Sequence, residues 1–117
     1  MPPPANNNKE TPMIVSAWCN GHHCYGIKID IDDRDKYFSR RWKQVRVKIA
    51  DQPEKTFGLS PSFWCTCVEI RNVAFRDWLD ELGYVKNREK TRKWKSEPPE
   101  FLLTPLGSNR FHLTQRP

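Results

Sequence analysis

LSPSFWCTCVEIRNVAFRDWLDELG, residues 59–83, is the one long stretch with helical apolar spacing, and the fold turns on how it is read. Ser60 stands where an N-cap accepts backbone N–H bonds, Pro61 has its φ preset for a first helical position, and Gly83 suits a left-handed C-cap. At about 100° per residue, Trp64, Val68, Phe75, Trp78, Leu79 and Leu82 share a face, with Glu69, Asn72, Arg76 and Asp80 along its edge and opposite side. The spacing predicts one main helix over residues 61–82. Ile70 and Val73 form a second, smaller apolar strip at the back, which predicts cover on more than one side. Arg71 falls inside the main stripe. A guanidinium keeps its proton, so in that place it needs a carboxylate, backbone carbonyls or an opening to a pocket. Arg71 is therefore expected as a structural pin or as an anion anchor in a pocket, with Glu69 or one of the acids at 30–35 as its partner.

On either side of this stretch the apolar period changes to two. Residues 13–19 and 24–31 read as strands flanking Asn20-Gly21, a dipeptide that favours a tight hairpin because both positions tolerate positive φ. Tyr25, Ile27, Ile29 and Ile31 share a face of the second strand. Asp32 to Ser39 reads as an acidic-started turn or short helix, capped by Asp32 or Asp33. WKQVRVKIA, residues 42–50, alternates with Val45, Val47 and Ile49 inward and Gln44, Arg46 and Lys48 outward, as a half-buried antiparallel strand requires. A brief strand at 56–59 is expected before the helix, and a final hairpin from EFLLTP and RFHLTQ around Leu106 to Asn109. The class predicted is α+β, a small antiparallel sheet of about four to six strands packed around one main helix. Residues 1–12, with Pro and Asn runs, read as a flexible tail, and 13–117 as a single domain.

Composition limits the chemistry. Twenty Lys and Arg against 14 acids leave a net charge of +6, which makes anionic partners plausible. No apolar run has signal-peptide or membrane-span length, and four Cys in no framework spacing fit reduced thiols, so a soluble cytoplasmic protein is expected. Cys19, His22, His23, Cys24, Cys65 and Cys67 are zinc-type ligands, but Cys65 and Cys67 point apart at a helix start and do not form a knuckle. The run Asp30–Asp35 departs from a calcium loop, which would need an oxygen ligand where Arg34 stands and Gly where Asp35 stands. None of the ten lysines follows an acid by two residues, as in many metal-dependent nucleases, and the hydrolase elbow, the zinc-protease motif and a phosphate-cradling Gly loop are missing. The residues point to no enzyme, metal or cofactor.

What remains is basic. Arg40, Arg41, Lys43, Arg46 and Lys48 surround Trp42, and Lys86, Arg88, Lys90, Arg92, Lys93 and Lys95 surround Trp94 against the single acid Glu89. Cations displace phosphate counterions and an exposed indole can stack on a base, so both segments are candidate nucleic-acid or anion contacts. The function expected is a non-catalytic module binding nucleic acid or another anionic partner, the alternative being a homodimeric interaction protein that uses sheet edges and aromatic surface.

Tyr25-Gly26-Ile27, Asp33-Arg34 with Tyr37-Phe38, Trp42 to Val45, Leu59 to Trp64, Cys67 to Arg71, Trp78-Leu79, Pro98 to Phe101 and Arg110 to Leu113 occur in an order that resembles a group of short proteins carried on integron gene cassettes. The likeness covers roughly residues 13–114. It implies a mobile bacterial gene, and since that group has no established activity it brings no catalytic residues. The basic segment at 86–95 is longer here than in that group.

Overall fold

Period-two alternation organises far more of the chain than the helical stretch does. The computed structural model describes residues 11–20, 24–85 and 97–116. Seven strands form one sheet: β1 (Met13–Asn20), β2 (Cys24–Lys28), β3 (Gln44–Ile49), β4 (Lys55–Gly58), β5 (Glu69–Arg71), β6 (Glu100–Gly107) and β7 (Arg110–Gln115). Their spatial order is β4-β3-β7-β6-β1-β2-β5. All pairs are antiparallel except β3 with β7. Among the described residues the sheet is accompanied by two short helices, α1 (Ile31–Tyr37) and α2 (Val73–Glu81), and a 3₁₀ turn (Pro61–Trp64), with Tyr84 and Val85 also helical.

One sheet face is apolar across every strand. Val15 lies opposite Phe101, Ala17 opposite Ile27, Ile27 opposite Ile70, Val45 opposite Phe57, Val47 opposite Phe111 and Leu103 opposite Leu113. All are buried. β1 divides its partners, pairing with β6 through Met13–Ser16 and with β2 through Ser16–Asn20, a stagger that coils the sheet toward a barrel. The helices fill the concave side. α2 packs on β2 near one edge of the sheet, yet its Phe75 stacks on Phe57 of β4 at the other edge, with ring centroids 4.9 Å apart. Only strong curvature brings those ends together. Phe38, just past α1, stacks on Phe111 at 4.7 Å and meets Phe63 at 5.2 Å.

The expectation of one main helix over 61–82 on a small sheet is overturned by this seven-stranded, sheet-dominated architecture. Residues 61–64 form a 3₁₀ turn, 69–71 a strand, and only 73–81 an α-helix. Ser60 makes no side-chain cap; Asn72 is the N-cap, its Oδ1 accepting the Ala74 N–H at 2.9 Å. The physical reason lies at 68–71. Val68 and Ile70 are buried while Glu69 and Arg71 are not, an alternation that pairs with β2 through Ile27–Ile70. Gly83 does adopt the left-handed conformation, with φ of 90°, past the end of α2. At the other end of β2, the shared face stops at Ile29. Ile31 begins α1 and is 45% exposed. Asp30, rather than Asp32 or Asp33, occupies the cap position there, without a side-chain cap bond. The final hairpin and the inward Val45, Val47 and Ile49 are as the alternation predicts. Most of the tail read at 1–12 lies outside the described residues, as do Gly21, His22 and His23.

Candidate functional site

The arginine that meets the conditions set for a buried guanidinium is Arg34, not Arg71. Arg34 is 4% exposed on α1. Its Nη1 donates to the carbonyls of Phe63 (2.9 Å) and Cys65 (3.0 Å), its Nε pairs with Asp35 Oδ1 at 3.0 Å, and its Cζ lies 5.7 Å from the Trp64 ring centroid. One side chain thus holds the loop at 61–65 against α1, where a carbonyl left without a donor would be costly. Spacing carries a signal for it: Arg34 stands four residues before the buried Phe38, which puts the two on one side of α1. Asp33, on the same helix, has its carboxyl pushed above the usual range, first by burial and then by the charge of Asp30.

Arg71 is exposed on edge strand β5, which corrects its expected place inside a helix stripe. Trp18, Gly26 and Arg71 form one row across β1, β2 and β5. Because Gly26 carries no side chain, the guanidinium reaches across it to Trp18, with Cζ 5.6 Å from the ring centroid. The backbones are also close: a Cβ on Gly26 would stand 2.2 Å from the Ile70 carbonyl oxygen. Beside this row is a cleft of about 200 Å³ lined by Cys24, Tyr25, Arg71, Asn72 and Val73. Glu69 is half-buried, two residues along β5 and opposite Lys28.

The cations of the first basic segment all reach solvent. Arg40, Arg41 and Lys43 lead into β3, and Arg46 and Lys48 point outward from it. The parallel pairing with β7 places Arg110 beside Arg46 and His112 beside Lys48. Arg110 escaped the sequence reading because only strand register makes it a neighbour. Glu54 joins the two arginines, 3.6 Å from Arg46 and 2.8 Å from Arg110. Trp42 is half-buried and packs edge-on against Phe38 and Phe111, so its ring belongs to the core boundary. Arg40 has its Cζ 5.2 Å from the Trp64 ring centroid. The second segment, Lys86, Arg88, Lys90, Arg92, Lys93, Trp94 and Lys95, lies outside the described residues. Its six cations and single acid make it +5 of the chain's +6, so the rest of the chain is nearly neutral.

Cys24, Cys65 and Cys67 are exposed thiols and Cys19 is half-buried. The helix start read at Cys65 and Cys67 is not formed: Cys67 lies just before β5 and is exposed. Among the described residues, no three His, Cys, Asp or Glu side chains converge as metal ligands. No described helix is long and apolar enough to cross a membrane. Comparison with known families, curated proteins and solved structures finds no match to this chain.

Proposed function

We propose that the protein is a non-catalytic module that binds nucleic acid or another polyanion, with residues 86–95 as the main contact and the outer face of β3 as a second one. The observation that carries this reading is the exposure of Arg40, Arg41, Lys43, Arg46 and Lys48 on the lead-in and outward side of one strand. The concentration of +5 in residues 86–95 supports it: with the +5 of residues 40–48 it leaves the rest of the chain at −4, so the cationic charge is held in two stretches of sequence. The outer-face contribution is the smaller one, because Glu54 already neutralises part of Arg46 and Arg110. Trp42 plays no stacking role in this reading.

The test is fluorescence anisotropy of labelled single-stranded and duplex oligonucleotides, titrated with the full chain at several salt concentrations. Affinity is expected to fall steeply with salt, in proportion to the phosphates neutralised. Changing Lys90, Arg92 and Lys93 together to Glu is expected to remove most of it. Binding that ignores salt, or no binding at low salt, removes the proposal.

A further inference from the structure

β5 ends the strand order and pairs only with β2 among the described residues. In that antiparallel ladder the Asn72 N–H donates to the Tyr25 carbonyl and the Ile29 N–H to the Val68 carbonyl. Val68, Ile70 and Asn72 therefore direct their backbone groups toward β2, and Glu69 and Arg71 direct theirs away from it. The Glu69 N–H turns back to the Cys67 carbonyl at 2.9 Å. The Arg71 N–H, the Arg71 carbonyl and the Glu69 carbonyl have no partner among the described residues. Groups left open on a sheet edge are a template for another strand.

We propose that this other strand is β5 of a second copy, paired antiparallel about a two-fold axis at Ile70. Charge selects both the occupant and the register. Pairing centred on Arg71 would oppose two guanidinium groups, and pairing centred on Glu69 would oppose two carboxylates, both destabilising. Centred on Ile70, Glu69 of each copy faces Arg71 of the other, on one sheet face, and the Arg71 N–H meets the open Glu69 carbonyl twice over. The segment Glu69-Ile70-Arg71 is thus complementary to itself, as an isologous contact requires. Val73, the first residue of α2, and Cys67, just before β5, stand at opposite ends of the seam in each copy, so the antiparallel axis brings the Val73 end of one to the Cys67 end of the other. Val73 is 67% exposed and Cys67 is also exposed, so the contact covers the most open of the large apolar side chains among the described residues. The other edge, β4, carries Lys55 and no acid, and offers no such match.

A three-residue seam buries little area, so the dimer belongs to the weak, concentration-dependent class. Sedimentation equilibrium of the full chain is expected to show reversible dimerisation. Arg71→Glu and Glu69→Arg should each weaken it about tenfold, by setting like charges opposite. Mixing those two variants should restore association, because their altered edges are complementary, and the double exchange Glu69→Arg with Arg71→Glu should restore it within one chain. Thermal unfolding of each variant shows that the fold is kept. Independently, Val73→Cys should form an oxidative cross-link between copies that Cys67→Ser abolishes, with both edge charges left native. A chain that stays monomeric throughout, single variants that dimerise as well as the native chain, or a mixture that fails to recover would overturn the proposal.

Discussion

Arg34 and Arg71 are one residue type put to opposite uses. Arg34 is sealed under the loop at 61–65, where two carbonyls, a carboxylate and an indole engage its guanidinium. Arg71 is exposed at a sheet edge, where its one described side-chain partner is the Trp18 ring. In the first place the charge is spent on holding the fold, since desolvated donors must be matched. In the second it stays available to a partner, because water screens it and little stability depends on it.

The strongest way to break that contrast is to remove Arg34. Arg34→Met should cost about 3 kcal/mol in denaturant unfolding, because the Phe63 and Cys65 carbonyls lose their donor, and Arg34→Lys should recover only part of this. If Arg34→Met unfolds at the native denaturant midpoint, the pin is not structural. Next comes the seam beneath Arg71. Gly26→Ala should cost about 2 kcal/mol, since the new Cβ meets the Ile70 carbonyl and pushes β5 off β2; hydrogen exchange at Ile70 should speed up with it. Asn72→Ala should cost about 1 kcal/mol through the lost cap of α2, and Asn72→Asp should keep it. Arg71→Ala should change the unfolding free energy by less than about 0.5 kcal/mol, and a loss comparable to that of Arg34 would erase the comparison. The smallest effect concerns pH. The carboxyl of Asp33 is raised in the fold, so the native state binds its proton more tightly and stability declines as pH rises through the carboxylate range. Asp33→Asn should give a slight gain near neutrality that vanishes in acid, read from unfolding curves at both pH values.

The strands were legible where the alternation ran for five or more residues, as in Val45, Val47 and Ile49 or in the final hairpin. The stretch 59–83 was misread because a three-residue strand is too short to declare its period. Val68 fits a helix stripe nearly as well as a strand face. Two misfits were the signal: Ile70 behind the stripe and Arg71 within it. Both disappear once residues 68–71 are extended, for Ile70 then faces the core with Ile27 and Arg71 faces out with Trp18. Of the candidate site, the cations of 40–48 were legible as outward positions on β3. Arg110 was not, since its neighbourhood comes from a parallel pairing of strands more than sixty residues apart.

By itself the sequence determined which residues alternate, where the final hairpin turns and where the cationic excess is concentrated, since these follow from local spacing and side-chain chemistry. Only the tertiary structure decided that residues 59–83 break into turn, strand and helix, because pairing with β2 engages the backbone groups of Val68, Ile70 and Asn72 and buries Ile70. It also decided which arginine is buried. A guanidinium is sealed wherever carbonyls converge on it, and the carbonyls of Phe63 and Cys65 reach Arg34 from about thirty residues away.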